Sequence, residues 1–130
     1  MQASAMVPLS TMTAVLVLFT LKHFAADFLF QTRWMAHGKE RRDGWVRPLL
    51  SHVGCHAGLT LVIALAIAPR LWWLALVDLV VHFAIDHAKS LIQRWGQWST
   101  DNPRFWWLLG FDQALHHLTN IAFAAAIVAA

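Results

Sequence analysis

Residues 82–89 read HFAIDHAK, and they sit inside an otherwise apolar run from Leu71 to Arg94. Such a run is close to the roughly 20 residues that a helix needs to cross hydrocarbon. His82 and Asp86 are four residues apart, so on a helix they share one face. A polar face on a membrane-length helix must turn away from lipid, so the stretch predicts a helix packed among others in a bilayer. Three further apolar runs, Thr11 to Arg33, Leu49 to Ala68 and Phe105 to Ala129, have similar lengths. The sequence therefore predicts an all-α bundle of four transmembrane helices, about 11–33, 49–68, 71–94 and 105–129, in one domain covering residues 1–130.

Composition agrees. The chain is 58% hydrophobic and only 13% charged, which a soluble domain of 130 residues does not support. Pro48 and Pro103 punctuate helix starts, and Pro69 with Arg70 closes the second run. The stretch at residues 1–19 lacks a basic leader, so a retained first helix is expected. Cys55 stands alone and forms no internal disulfide. Repeats and low-complexity tracts are absent beyond the alanine-rich C-terminal end.

The connection after the first run, WMAHGKERRDGWVRP, and that after the third, WGQWSTDNPR, fall on one side of an alternating topology. That side gathers Arg33, Lys39, Arg41, Arg42, Arg47, Lys89, Arg94 and Arg104, against Arg70 alone on the other. Positive charge retained inside predicts that this side is cytoplasmic and that both termini are outside. A bacterial inner membrane is the expected location. Trp34, Trp45, Trp95, Trp98, Trp106 and Trp107 flank the basic side, and Trp72 and Trp73 the other, as interfacial belts do. The basic residues cluster at helix ends and form no face that tracks a nucleic acid, so nucleic acid is not an expected partner; the bilayer is.

Each run carries a pair of metal-capable side chains at the same spacing: His23 and Asp27, His52 and His56, His82 and Asp86, Asp112 and His116. Counted from the basic ends, all four pairs lie about 3 to 12 residues in, or roughly 5–18 Å at 1.5 Å per residue. Four unrelated polar residues would scatter along the roughly 30 Å of hydrocarbon. A common depth predicts one layer. An Asp at mid-membrane costs about 2.5–3.5 kcal/mol, and bound cations would offset three of them. Five His and three Asp are enough ligands for one or two ions, and nitrogen and oxygen donors favour zinc, with iron or manganese as alternatives. Buried polar groups that merely pair with one another are the competing explanation.

Gln31, Thr60, Asp78 and Asn120 are each four residues from a pair member and are placed to orient ligands or to bond between helices. Lys89 is about one turn from Asp86 toward the basic side, where it either contacts an anionic group or extends to the interface. His87 and His117 point about 100° away from their ligand neighbours, His37 belongs to the loop, and Cys55 is a small packing residue or a thiolate ligand.

The segments KHFAADFLFQT, SHVGCH, HFAIDHAK and FDQALHH, in this order, resemble the bacterial membrane family known as domain of unknown function 3307. The resemblance runs from Lys22 to His117 and places the family pattern on His23, Asp27, Gln31, His52, His56, His82, Asp86, Lys89, Asp112, Gln113 and His116. It implies a membrane protein and no particular activity. A looser similarity extends to small membrane proteins described as metal-dependent hydrolases, which also distribute His and Asp over several helices.

Three functions are therefore expected, in this order. The first is metal-dependent hydrolysis of a lipid or lipid-linked substrate from the cytoplasmic side, with Asp86 or Asp112 as base and Lys89 holding an anionic group. The second is passage of divalent metal or protons, which through four short spans would require a homo-oligomer. The third is oxidation or hydroxylation at a di-iron site.

Overall fold

The computed structural model describes residue 6 and residues 8–130; the first residues of the N-terminal stretch, on which the leader reading partly rests, lie outside them. Among the described residues the chain is entirely helical. Helix α1 (Leu9–Phe24) starts after Pro8, whose carbonyl accepts from Thr11 and Met12. Thr13 and Thr20 return their hydroxyl protons to the carbonyls of Leu9 and Leu16, which hides them on an exposed apolar surface.

The first expected helix, 11–33, is corrected by the structure. The α-helix gives way to a π-helical turn at Ala25–Leu29, and the chain breaks before a separate short helix, α2 (Arg33–Gly38). Two side chains stabilise the break. Gln31 donates to the Asp27 carbonyl at 3.0 Å, and Thr32 caps α2 by accepting from the Met35 amide at 3.2 Å. Apolar periodicity continues through Phe28 and Phe30, so hydropathy alone ran the helix on.

The remaining elements follow expectation with ends shifted by a few residues. Helix α3 (Val46–Ile67) is joined to α4 (Leu74–Gly96) by a 3₁₀ turn at Pro69–Leu71. Helix α4 stops at Gln97, in a left-handed conformation with φ 51°, and α5 (Pro103–Ala129) begins where the Asn102 side chain accepts from the Arg104 amide. The long helices close a ring in which α1 touches α5 and α3, and α4 touches α3 and α5. Helix α2 lies against α3, and the packing is tight: a Cβ at Gly38 would overlap the Pro48 ring.

Among the described residues three helices are long and apolar enough to cross a membrane, Leu9–Leu29, Val46–Ile67 and Pro69–Gly96, rather than the expected four. Helix α5 has the length, at 27 residues, but Asp112, Gln113, His116, His117 and Asn120 dilute its apolar character. The distribution of polarity explains the difference. Leu18, Phe24, Phe28, Val62, Leu76, Val80, Phe111, Leu118 and Ile121 are exposed on the outside, while Lys22, Asp78, Asp86, Asp112 and five histidines are buried within. That is the reverse of a soluble protein and suits a lipid surround.

The interior is divided. Away from the basic loops, Val15, Phe19, Ala68, Leu74, Phe123, Ala124 and Ile127 form a closed apolar cluster. Toward the basic loops it is polar and encloses a cavity of about 430 Å³.

Candidate metal centre

The four sequence pairs meet inside the bundle, and their Nε2 and carboxylate atoms converge. Asp27, carried on the π turn of the first span, is the centre of one half. Its Oδ1 accepts from His56 Nε2 at 2.8 Å and lies 3.4 Å from His52 Nε2, while its Oδ2 is 3.0 Å from His23 Nε2. Asp86 on α4 is the centre of the other. Its Oδ1 accepts from His116 Nε2 at 2.9 Å and is 3.7 Å from His82 Nε2. His52 bridges the halves, 3.5 Å from Asp86 Oδ2. The rings crowd together, with His82 centred 3.9 Å from both His56 and His116.

Two groups of donor atoms result, Asp27, His52, His56 and His82, and then His82, Asp86 and His116; within each, one ligand atom per residue lies within 4.8 Å of the others. In a tetrahedral zinc site with bonds of 2.0–2.2 Å, ligand atoms stand about 3.3–3.6 Å apart. Small rotamer changes would close that gap. The donor chemistry fits as well, being imidazole nitrogen and carboxylate oxygen with no sulfur in either group. His82 belongs to both groups.

Two of the eight sequence candidates are beside these groups rather than in them. His23 Nε2 lies against the outer oxygen of Asp27 and, at 3.1 Å, the side-chain amide oxygen Oε1 of Gln113. Asp112 Oδ2 accepts from Gln113 Nε2 at 3.1 Å. Its Oδ1 is 3.4 Å from His116 Nε2, whose hydrogen bond goes to Asp86, so that oxygen is buried without a partner among the described residues. The ring nitrogens Nδ1 of His52 and His56 are also unpartnered, so these rings are oriented by their inner edges alone.

Lysines answer part of the carboxylate charge, which sequence reasoning assigned to bound cations. Lys39, from the loop after α2, reaches Asp86 Oδ2 at 3.0 Å. Lys22 reaches Asp78 Oδ2 at 2.8 Å, where Thr60 also donates at 2.6 Å, and all three are at most 4% exposed. Asp78 Oδ1 stands 3.8 Å from His82 Nδ1, behind the shared ring. Lys89 pairs with Glu40 at 3.0 Å, and Ser90 donates to the other oxygen of Glu40 at 2.8 Å.

Lys39 and Glu40 were missed as site residues. Both come from a loop segment of KERRD whose charge suggested only topology. Lys22 carried a signal, a lysine adjoining His23 deep in an apolar run, but its partner is 56 residues away. Thr60 and Asp78 are where spacing placed them, and Gln31 lines the cavity. Asn120 is buried on the same face of α5. His87 turns outward and stacks on Trp45 with centroids 3.9 Å apart. His37 and His117 are exposed, and Cys55 is half-buried and free.

The polar cavity brings together Asp27, Gln31, Lys39, Glu40, His52, His82, Asp86, Lys89, Asp112 and His116, beside α2 and the basic loop. Its formal charge with neutral imidazoles is four carboxylates against two ammonium groups. One divalent cation would balance that excess.

No curated protein and no solved structure matches the chain. A family model described as a protein of unknown function, DUF3307, matches residues 15–130, and the chain belongs to that family.

Proposed function

We propose that this protein is a membrane-embedded, metal-dependent hydrolase that holds zinc in the His–Asp cluster and acts on a lipid or lipid-linked substrate. The observation that carries the reading is the pair of donor groups sharing His82, set at the wall of a cavity with two more carboxylates than lysines. Zinc in such a site polarises a phosphoryl or acyl oxygen and lowers the pKa of water toward about 7. The chain's own residues do the rest. His52, His56, His82 and His116 would each present a ring nitrogen, and Asp27 and Asp86 a carboxylate oxygen, to the ion in place of the hydrogen bonds they make to one another. Asp112, with its buried free oxygen, accepts a proton. Lys89 and Lys39 bind an anionic part of the substrate.

In this reading α5 crosses the bilayer with the other three helices, because Asp112, His116 and Asn120 face the bundle and Phe111, Leu118 and Ile121 face lipid. The basic loops are cytoplasmic, at a bacterial inner membrane. Passage of an ion is disfavoured by the cluster around Phe19 and Phe123, whose rings are 6.2 Å apart in the half opposite the cavity.

Proteoliposomes containing the full chain test the reading. Zinc-loaded protein should release a product from ester- or phosphoester-containing lipids, stop in chelator, and recover with zinc. Zinc accumulation inside the vesicles without lipid turnover would replace hydrolysis with transport. Bound iron with a visible absorption spectrum would point to oxidation.

A further inference from the structure

A second cavity, of about 240 Å³, lies between α4 and α5 on the outer side of the bundle. Its lining is apolar except at two residues, Lys89 and Asp112, and both also line the polar cavity. The two spaces therefore adjoin across these side chains, which form the wall between them. Along α4 the groove runs from Ala84 to Ile92, about 12 Å at 1.5 Å per residue. Ile92 and Leu108 are nearest the basic loops, and Ala84 and Leu115 are deeper. Ala84, Ala88 and Phe111 are exposed, so the groove opens sideways rather than into the bundle.

We propose that this groove receives one acyl chain of an anionic, hydroxyl-bearing phospholipid, with its head group passing between Lys89 and Asp112 into the polar cavity. The proposal rests on the lipid-substrate reading above and narrows it. Three features select the occupant. A lipid of the leaflet beside the basic loops has its head at that end and its chain directed to the membrane centre, which is the groove's own polarity. Lys89, paired with Glu40 at 3.0 Å, has further N–H donors to supply to the phosphate. The unpartnered Asp112 Oδ1 supplies an acceptor for a head-group hydroxyl. Because lipid tails are as apolar as the groove, the chain gains little from burial alone, and preference must come from the polar junction.

The test uses full-length protein in phosphatidylcholine nanodiscs with trace amounts of a photoreactive diazirine-acyl phosphatidylglycerol, or of the matching phosphatidylcholine. The phosphatidylglycerol probe should label Ile85, Ile92, Phe111 and Leu115 at least about five-fold above Val62 and Leu65 of α3, and the phosphatidylcholine probe should label both faces evenly. Lys89→Met should abolish the preference, and Ala88→Trp, at an exposed position, should block groove labelling by both probes. Even labelling by phosphatidylglycerol around the bundle, or a preference unchanged in Lys89→Met, would overturn the proposal. The protein is labelled after zinc loading, so that the cation offsets the carboxylate excess of the polar cavity, and labelling needs no turnover. Groove labelling in a protein without hydrolytic activity would thus keep the lipid site and remove the hydrolase, whereas zinc-dependent hydrolysis with even labelling would do the opposite.

Discussion

Replacing His82 by alanine removes the one ring that belongs to both donor groups. Structural zinc sites bind with roughly 10–16 kcal/mol over four ligands, or about 2.5–4 kcal/mol each. At 1.4 kcal/mol per tenfold, His82→Ala should weaken zinc binding roughly 10²- to 10³-fold. One imidazole lone pair serves one ion, so the two groups share the ring as alternatives, and whichever of them holds zinc should lose affinity. His116→Ala removes a ligand from the Asp86 group alone, and His23→Ala removes only a partner of Asp27, for which about 10- to 100-fold is expected. The assay is competition of detergent-purified protein with a zinc-responsive dye, read beside thermal unfolding of the metal-free variants. His37, expected in a loop, is exposed on the short helix α2, and His37→Ala serves as the control. Unchanged affinity in His82→Ala, or equal loss in His82→Ala and His37→Ala, would each refute the shared-ligand argument.

Other perturbations give distinct readouts. Lys39→Met removes the ammonium that competes for Asp86 Oδ2 at 3.0 Å; a charged hydrogen bond is worth about 1.5–3 kcal/mol, so zinc should bind roughly 10- to 100-fold more tightly, and a titration showing equal or weaker binding would reject the competition. Asp112→Asn should leave zinc content unchanged while lowering lipid turnover about 10²- to 10⁴-fold, the usual worth of a general base, and loss of zinc instead would make Asp112 a ligand. Lys22→Met strands a buried Asp78 and should cost about 3–5 kcal/mol in unfolding experiments. The double variant Lys22→Met with Asp78→Asn should recover most of that loss, and additive losses would show that the pair is not coupled.

Much of this architecture is legible in the sequence because a bilayer imposes simple rules. Apolar runs of membrane length gave the long helices, and the four-residue spacing put His52 with His56 and His82 with Asp86 on inward faces. Six of the eight candidate ligands stand in the two donor groups. The departures have local causes. At Ala25–Leu29 the chain leaves α-helical geometry through a π turn, which apolar periodicity does not register. Helix α5 has a low mean hydropathy because Asp112, His116 and Asn120 on its inner face, with the exposed His117, are averaged with its apolar residues. Lys39 and Glu40 enter the site through the packing of Gly38 on Pro48, a tertiary contact that loop sequence does not announce. The pairing of Lys22 with Asp78 is likewise a property of helix neighbours, set by the order of the bundle.

Elemental analysis of the full chain, purified in detergent without chelator, tests the central claim most directly. The account predicts one or two zinc ions per chain, removed by a strong chelator with loss of thermal stability and restored by added zinc. A protein that carries no stoichiometric zinc, iron or manganese, and unfolds identically with and without chelator, would contradict it and leave the histidines and aspartates as a self-paired polar core.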